Sequence, residues 1–132
     1  MKIKKRILIV DDEKDYCYFI KANLSLTGKY KVMVADAGGI GMLLARCHWH
    51  KPDLILLDMN MPGLNGLEVL KKLKRGQMTS KIPIVILTGT NNLQIKTKAE
   101  ELKCDGYLLK PVGSDELITV IDNLLKDTIS ED

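Results

Sequence analysis

Several chemically capable side chains stand at the ends of short apolar runs. Asp11 and Asp12 follow Arg6-Ile7-Leu8-Ile9-Val10, Asp58 follows Leu54-Ile55-Leu56-Leu57, and Thr88 follows Ile84-Val85-Ile86-Leu87. Lys110 follows Gly106-Tyr107-Leu108-Leu109 and precedes Pro111. Brought together, the carboxylates of Asp11, Asp12 and Asp58 would repel one another and raise one another's pKa values unless a cation neutralised them. The set therefore implies a hard divalent ion. Magnesium suits it, because that ion keeps several waters and takes one or two protein carboxylates together with phosphate oxygens. Lys110 supplies a positive charge for phosphoryl oxygens, and Thr88 a hydroxyl donor. The chemistry these residues support is phosphoryl transfer.

For these groups to meet, the runs before them must be strands ending at one edge of a sheet. The three continuous runs before Asp11, Asp58 and Thr88 have the pattern of parallel strands buried on both faces. Tyr30 to Ala35 carries Lys31, and Gly106 to Leu109 is short and stops at Lys110-Pro111, so these two read as edge strands. Stretches of helical length lie between. Asp15 to Thr27 places Cys17, Ile20 and Leu24 on one side, and Gly66 to Lys74 does the same with Leu67, Leu70 and Leu73. Gly38 to Trp49 reads as a helix whose early glycines, Gly38, Gly39 and Gly41, weaken its first turn. Asn92 to Lys103 offers only a narrow stripe of Ile95, Ala99 and Leu102, whereas Ser114 to Lys126 starts at a Ser114 cap and buries Leu117, Ile121 and Leu124. Strand and helix thus alternate five times, which predicts an α/β fold with a mainly parallel sheet and helices on both faces. In such sheets, binding groups collect beyond the carboxyl ends of the strands.

Composition agrees with one domain: 132 residues with 45% hydrophobic content suffice for a single core. No apolar run approaches a membrane span, and Met1 to Arg6 leads into no cleavage site, so a soluble, cytoplasmic protein without membrane contact is expected. The net charge of +3 is spread over Lys2 to Arg6, Lys71 to Arg75 and Lys96 to Lys103, and no direct contact with nucleic acid is expected from it. Cys17, Cys47 and Cys104 lack metal-ligand spacing and are read as reduced thiols. Cys47-His48-Trp49-His50 is read as a helix end, not a transition-metal site, because adjacent helix positions point in different directions.

Four separated segments carry a resemblance: Val10-Asp11-Asp12-Glu13, Pro52 to Gly66 around Asp58, Leu87-Thr88-Gly89, and Leu109-Lys110-Pro111. Together they closely resemble the signature segments of response-regulator receiver domains of two-component signalling, and the resemblance covers essentially the whole chain. It implies a flavodoxin-like (βα)5 domain with a five-stranded parallel sheet of order 2-1-3-4-5. It also implies that Asp58 is the nucleophile that forms an acyl phosphate. Asp12 and Asp58 would give carboxylates to Mg2+, for which Mn2+ can substitute, Asp11 would act chiefly through metal-bound water, and the backbone carbonyl of Asn60 would complete the protein ligands. Lys110 would pair with the phosphoryl group, Thr88 would close on it, and Tyr107, matching an aromatic switch position, would then turn in from solvent. Met61-Pro62-Gly63 would shape the turn beyond the acceptor, and Gly89 would leave an open approach.

On this resemblance the chain is not an enzyme with turnover of its own; it catalyses only its own phosphorylation and dephosphorylation. The donor would be a sensor histidine kinase or a histidine phosphotransfer protein. Residues 92–126 would present the face for an output domain or downstream protein, and a second copy of the chain is a further candidate partner. The domain would span residues 1–132, with residues 127–132 as a tail or the start of a linker.

Ala37-Gly38-Gly39-Ile40-Gly41, Gln77-Met78-Thr79-Ser80 and Gly89-Thr90-Asn91-Asn92 depart from the commoner pattern of the family, and Asn60 and Thr90 would flank the route of an attacking water. Two other classes compete with this reading. A phosphohydrolase with an aspartyl-phosphate intermediate would need a second aspartate two residues after Asp58, where Asn60 stands. A binding module that is never phosphorylated typically lacks one or more of the acidic or lysine positions, all of which are present.

Overall fold

The computed structural model describes residues 3–35 and 51–129. Strands β1 (Lys5–Val10), β3 (Leu54–Leu57) and β6 (Ile84–Thr88) form the centre of a sheet flanked by β2 (Tyr30–Ala35) and β7 (Gly106–Leu109). Every pairing is parallel and the order is β2-β1-β3-β6-β7. Counting only these five strands in chain order gives 2-1-3-4-5, the expected arrangement with the expected edges. The numbering skips two because β4 (Asn60–Met61) and β5 (Leu64–Asn65) form a separate two-stranded hairpin, turned at Gly63 with φ of 72°. Pairs of two residues fall below any detectable periodicity, and the hairpin was not anticipated.

The central strands are apolar on both faces because each face is covered by helices. Ile7, Ile9, Leu54, Leu56, Val85 and Leu87 pack with α1 (Lys14–Leu26) and α4 (Ser114–Ile129). The alternate residues Leu8, Val10, Ile55, Leu57, Ile84 and Ile86 pack with α2 (Gly66–Arg75) and α3 (Leu93–Glu101). The period of two along each strand divides the core into these two layers. Each fully buried Ile or Leu stabilises the fold by roughly 1.5–3 kcal/mol relative to exposure. Helix α1 buries Cys17, Ile20 and Leu24 as expected, and α2 buries Val69, Leu70 and Leu73. Helix α3 buries only Ala99, with Ile95 and Leu102 partly covered.

Helix ends differ from expectation in small ways. Ser114 is the first helical residue, not the cap: the Leu117 amide donates to the Gly113 carbonyl, which places the boundary one residue earlier. Leu125 takes the buried position expected of Leu124, and α4 runs on through Ile129. The polar Gln77 to Ser80 segment closes α2, since buried Thr79 donates its hydroxyl to the Leu73 carbonyl at 2.6 Å. The helix expected over Gly38 to Trp49, Cys47, and the Cys47-His48-Trp49-His50 run lie outside the described residues.

Candidate functional site

The backbone ladder continues one residue beyond three strand ends, and those residues are the reactive ones. The Asp11 amide donates to the Ala35 carbonyl at 3.0 Å, that of Asp58 to Val10 at 3.0 Å, and that of Lys110 to Thr88 at 2.8 Å. Each side chain therefore leaves the sheet from a fixed backbone position at its carboxyl edge. Asp11, Asp12 and Asp58 each bring a carboxylate oxygen within 4.8 Å of the others. Asp11 and Asp58 are 3% exposed while Asp12 is half-buried. Such an all-oxygen group fits a hard divalent cation, and the half-buried member leaves a side open to water and phosphate.

Short local bonds orient the carboxylates. Asp11 Oδ1 accepts from the Glu13 amide at 2.9 Å, and Asp58 Oδ1 accepts from the Asn60 amide at 3.2 Å. Helix α2 approaches so closely that a Cβ on Gly66 would stand 2.6 Å from Met59 Cα and 3.0 Å from the Asp58 carbonyl oxygen. Its first turn is held by Asn65, whose side chain accepts from the Leu67 amide at 2.9 Å. A Cβ on Gly89 would meet nothing within 4 Å, so the space beside that exposed residue is unfilled.

Lys110 supplies the positive charge. Its Nζ lies 2.6 Å from Asp11 Oδ2, 2.5 Å from Glu13 Oε1 and 3.5 Å from Asp58 Oδ2. Burial alone would depress its pKa, but the hydrogen bonds to Asp11 and Glu13 and the charges of Asp11 and Asp58 push it upward, so Lys110 is an ammonium. For Asp11, burial and the neighbouring Asp58 charge raise the carboxyl above the ordinary value, against the opposing pull of Lys110 and of the Glu13 amide.

Thr88 is fully buried and its hydroxyl oxygen accepts a long bond, 3.4 Å, from the Thr90 amide. Tyr107 is half-buried and donates its hydroxyl to the Thr90 carbonyl at 3.3 Å. Lys96 Nζ covers the ring at 5.8 Å. Asp11, Asp12, Asp58 and Lys110 thus meet at the carboxyl edge of the sheet, the Asn60 amide joins them through Asp58, and Thr88 and Tyr107 are tied to Thr90 in the loop after β6. The sequence alone did not reveal the roles of three others: Glu13, noted only within the Val10 to Glu13 segment; Tyr16, which no motif singles out; and Gly66, whose role depends on a close approach.

The family model described as "Response regulator receiver domain" matches residues 7–122. This chain belongs to that family. The receiver is 38% identical over 120 residues to the protein PilH of Pseudomonas aeruginosa, covering 91% of this chain and 97% of that one. It is 35% identical to the phosphate regulon transcriptional regulatory protein PhoB of the same organism, but spans only 54% of that longer protein. Among solved structures, a putative response regulator from Chloroflexus aurantiacus superposes with a TM-score of 0.85 at 27% identity, covering 94% of this chain and 99% of that one. The phosphorylated cyanobacterial phytochrome response regulator RcpA superposes with a TM-score of 0.79 at 27% identity, covering 97% and 96%. The Mn2+-bound response regulator Rcp1 gives 0.77 at 25% identity, with the same coverages. The receiver is thus a component of two-component signal transduction with the flavodoxin-like fold. Among its described residues no helix is long and apolar enough to cross a membrane.

Proposed function

We propose that Asp58 is the phosphoacceptor of this receiver and that Asp11, Asp12, Asp58 and the Asn60 backbone carbonyl hold Mg2+, or Mn2+ in its place. The observation that carries this reading is a buried Asp58 carboxylate facing a lysine ammonium at 3.5 Å within a cluster of three carboxylates. The RcpA and Rcp1 likenesses support it, one being a phosphorylated receiver and the other a Mn2+-bound one. In the transfer, an Asp58 oxygen bonds to phosphorus in line with the breaking phosphorus–nitrogen bond of a donor phosphohistidine, and that electron pair leaves with the imidazole nitrogen. The divalent ion, when bound, neutralises charge on the acceptor and the phosphoryl oxygens. Lys110 balances the charge on the transferred group, and Thr88 donates its hydroxyl to it. The donor would be a histidine kinase or a histidine phosphotransfer protein in the cytoplasm. The output face would be residues 92–126, contacting an output domain, a downstream protein or a second copy of the chain.

Asn60, two residues beyond the acceptor, is an exposed amide that cannot take up and give back a proton as a carboxylate does, which disfavours turnover of phosphomonoesters. The test is incubation with magnesium and a small phosphodonor, followed by mass spectrometry. Phosphate is expected on Asp58 only when a divalent ion is present, and Asp58→Asn should abolish it. Undiminished labelling of Asp58→Asn at that site would refute the assignment.

A further inference from the structure

Lys110 is not centred on the acceptor. An ammonium has three protons, and two here are directed to Asp11 at 2.6 Å and Glu13 at 2.5 Å. Asp58 Oδ2, at 3.5 Å, lies beyond a good N–H···O distance. The fourth neighbour is an aromatic face: Nζ stands 4.9 Å from the centre of the Tyr16 ring. Glu13 immediately precedes α1 and Tyr16 lies in its first turn, and a spacing of three puts both on the same side of the helix start. The Asp11 carboxylate is 3% exposed and cannot leave, whereas the Glu13 side chain is 61% exposed and can swing into water at little cost.

We propose that Glu13 and Tyr16 form a resting seat for Lys110, and that Glu13 competes with the incoming phosphoryl group for this ammonium and so slows the loading of Asp58. The proposal rests on Asp58 being the phosphoacceptor. Glu13 acts in two ways with the same sign: it withholds a donor from the phosphoryl oxygens, and it places a negative charge beside the route of an anionic phosphodonor. Tyr16 supplies the wall that keeps the ammonium near Glu13. Both are positioning residues, since neither is placed to touch the reacting atoms.

The seat is tested first in the metal-free, unphosphorylated protein, through the NMR signal of the Lys110 ammonium. A proton over a ring face is shifted upfield, so the Lys110 signal should move downfield in Tyr16→Leu and stay in place in Tyr16→Phe, which keeps the ring. Glu13→Gln should also move it. An unmoved signal in both Tyr16→Leu and Glu13→Gln would overturn the seat. Loading is then followed with a small phosphodonor at saturating magnesium, so that altered metal affinity does not enter. Glu13→Gln is expected to raise the rate constant about two- to fivefold, the span that one partly exposed ion pair is worth. A rate equal to or below that of the wild type would overturn the competition. Absence of label on wild-type Asp58 would overturn the phosphoacceptor reading and the competition with it, and is distinguished from the previous outcome by the wild-type control.

Discussion

Asp11 and Asp12 are neighbours in the chain, but their charges are balanced differently. Asp11 meets Lys110 and the Glu13 amide, whereas among the described residues the ion pairs of the site do not include Asp12. Asp12 therefore adds a charge to the cluster that a bound cation would neutralise. Asp12→Ala should raise metal-free stability by up to about 1 kcal/mol, the span of a partly solvated charge interaction, and weaken magnesium binding. Urea unfolding with and without magnesium measures both effects, which should have opposite signs. Lower metal-free stability together with unchanged magnesium affinity would contradict the repulsion argument. The identities of Asp11, Asp12 and Asp58 and their places after apolar runs were visible in the sequence. Glu13 was visible too, but not its use, because its partner Lys110 lies 97 positions away.

At the scale of elements, the start of α2 depends on the absence of a side chain. A methyl on Gly66 would collide with Met59 Cα at 2.6 Å, and neither that backbone nor the Asp58 carbonyl is free to yield. Gly66→Ala should cost roughly 1–3 kcal/mol, as overpacking of a close contact does. It should also slow phosphate acceptance, because the same backbone carries Asp58 and Asn60. The denaturation midpoint and the labelling rate should fall together; normal labelling in a destabilised variant would separate packing from chemistry. Helix α3 lies at the other extreme. It buries Ala99 alone, and its start relies on Asn92, whose side chain accepts from the Gln94 and Ile95 amides at 2.9 and 3.2 Å. Its narrow stripe was apparent from Ile95, Ala99 and Leu102, because periodicity reports how much apolar face a helix has to bury.

Across the molecule, the proposed acceptor Asp58 would be coupled to α3 through Thr88, Thr90 and Tyr107. Thr88 sits at the end of β6 beside the acceptor strand β3, its hydroxyl oxygen receives the Thr90 amide, and the Thr90 carbonyl receives the Tyr107 hydroxyl. A phosphoryl group on Asp58 would give the Thr88 proton a stronger acceptor and draw the loop from Gly89 inward, moving the carbonyl that anchors Tyr107. Helix α3, weakly held, should respond most. Tyr107 is half-buried with its hydroxyl on the Thr90 carbonyl, so a shift of that carbonyl would act on the ring directly. Linkage requires that a partner preferring the phosphorylated form also favour the shifted arrangement in the unphosphorylated protein. Amide exchange across residues 92–126 should slow or shift on phosphorylation in the wild type and far less in Thr88→Ala. An equal response in both proteins would sink the relay.

The sequence by itself determined the alternation of strands and helices, the edge and central strands, and the common edge at which Asp11, Asp12, Asp58, Thr88 and Lys110 emerge. These follow from local periodicity and from the position of each residue relative to its own strand, which the chain carries at short range. Tertiary structure decided the rest: the Glu13 and Tyr16 environment of Lys110, the closeness of Gly66 to Met59, the half-buried Tyr107 and the closure of α2 by Thr79. Each of these depends on how far one element slides and tilts against another. That geometry is settled by packing two apolar layers against one twisted sheet, and no local pattern of residues encodes it.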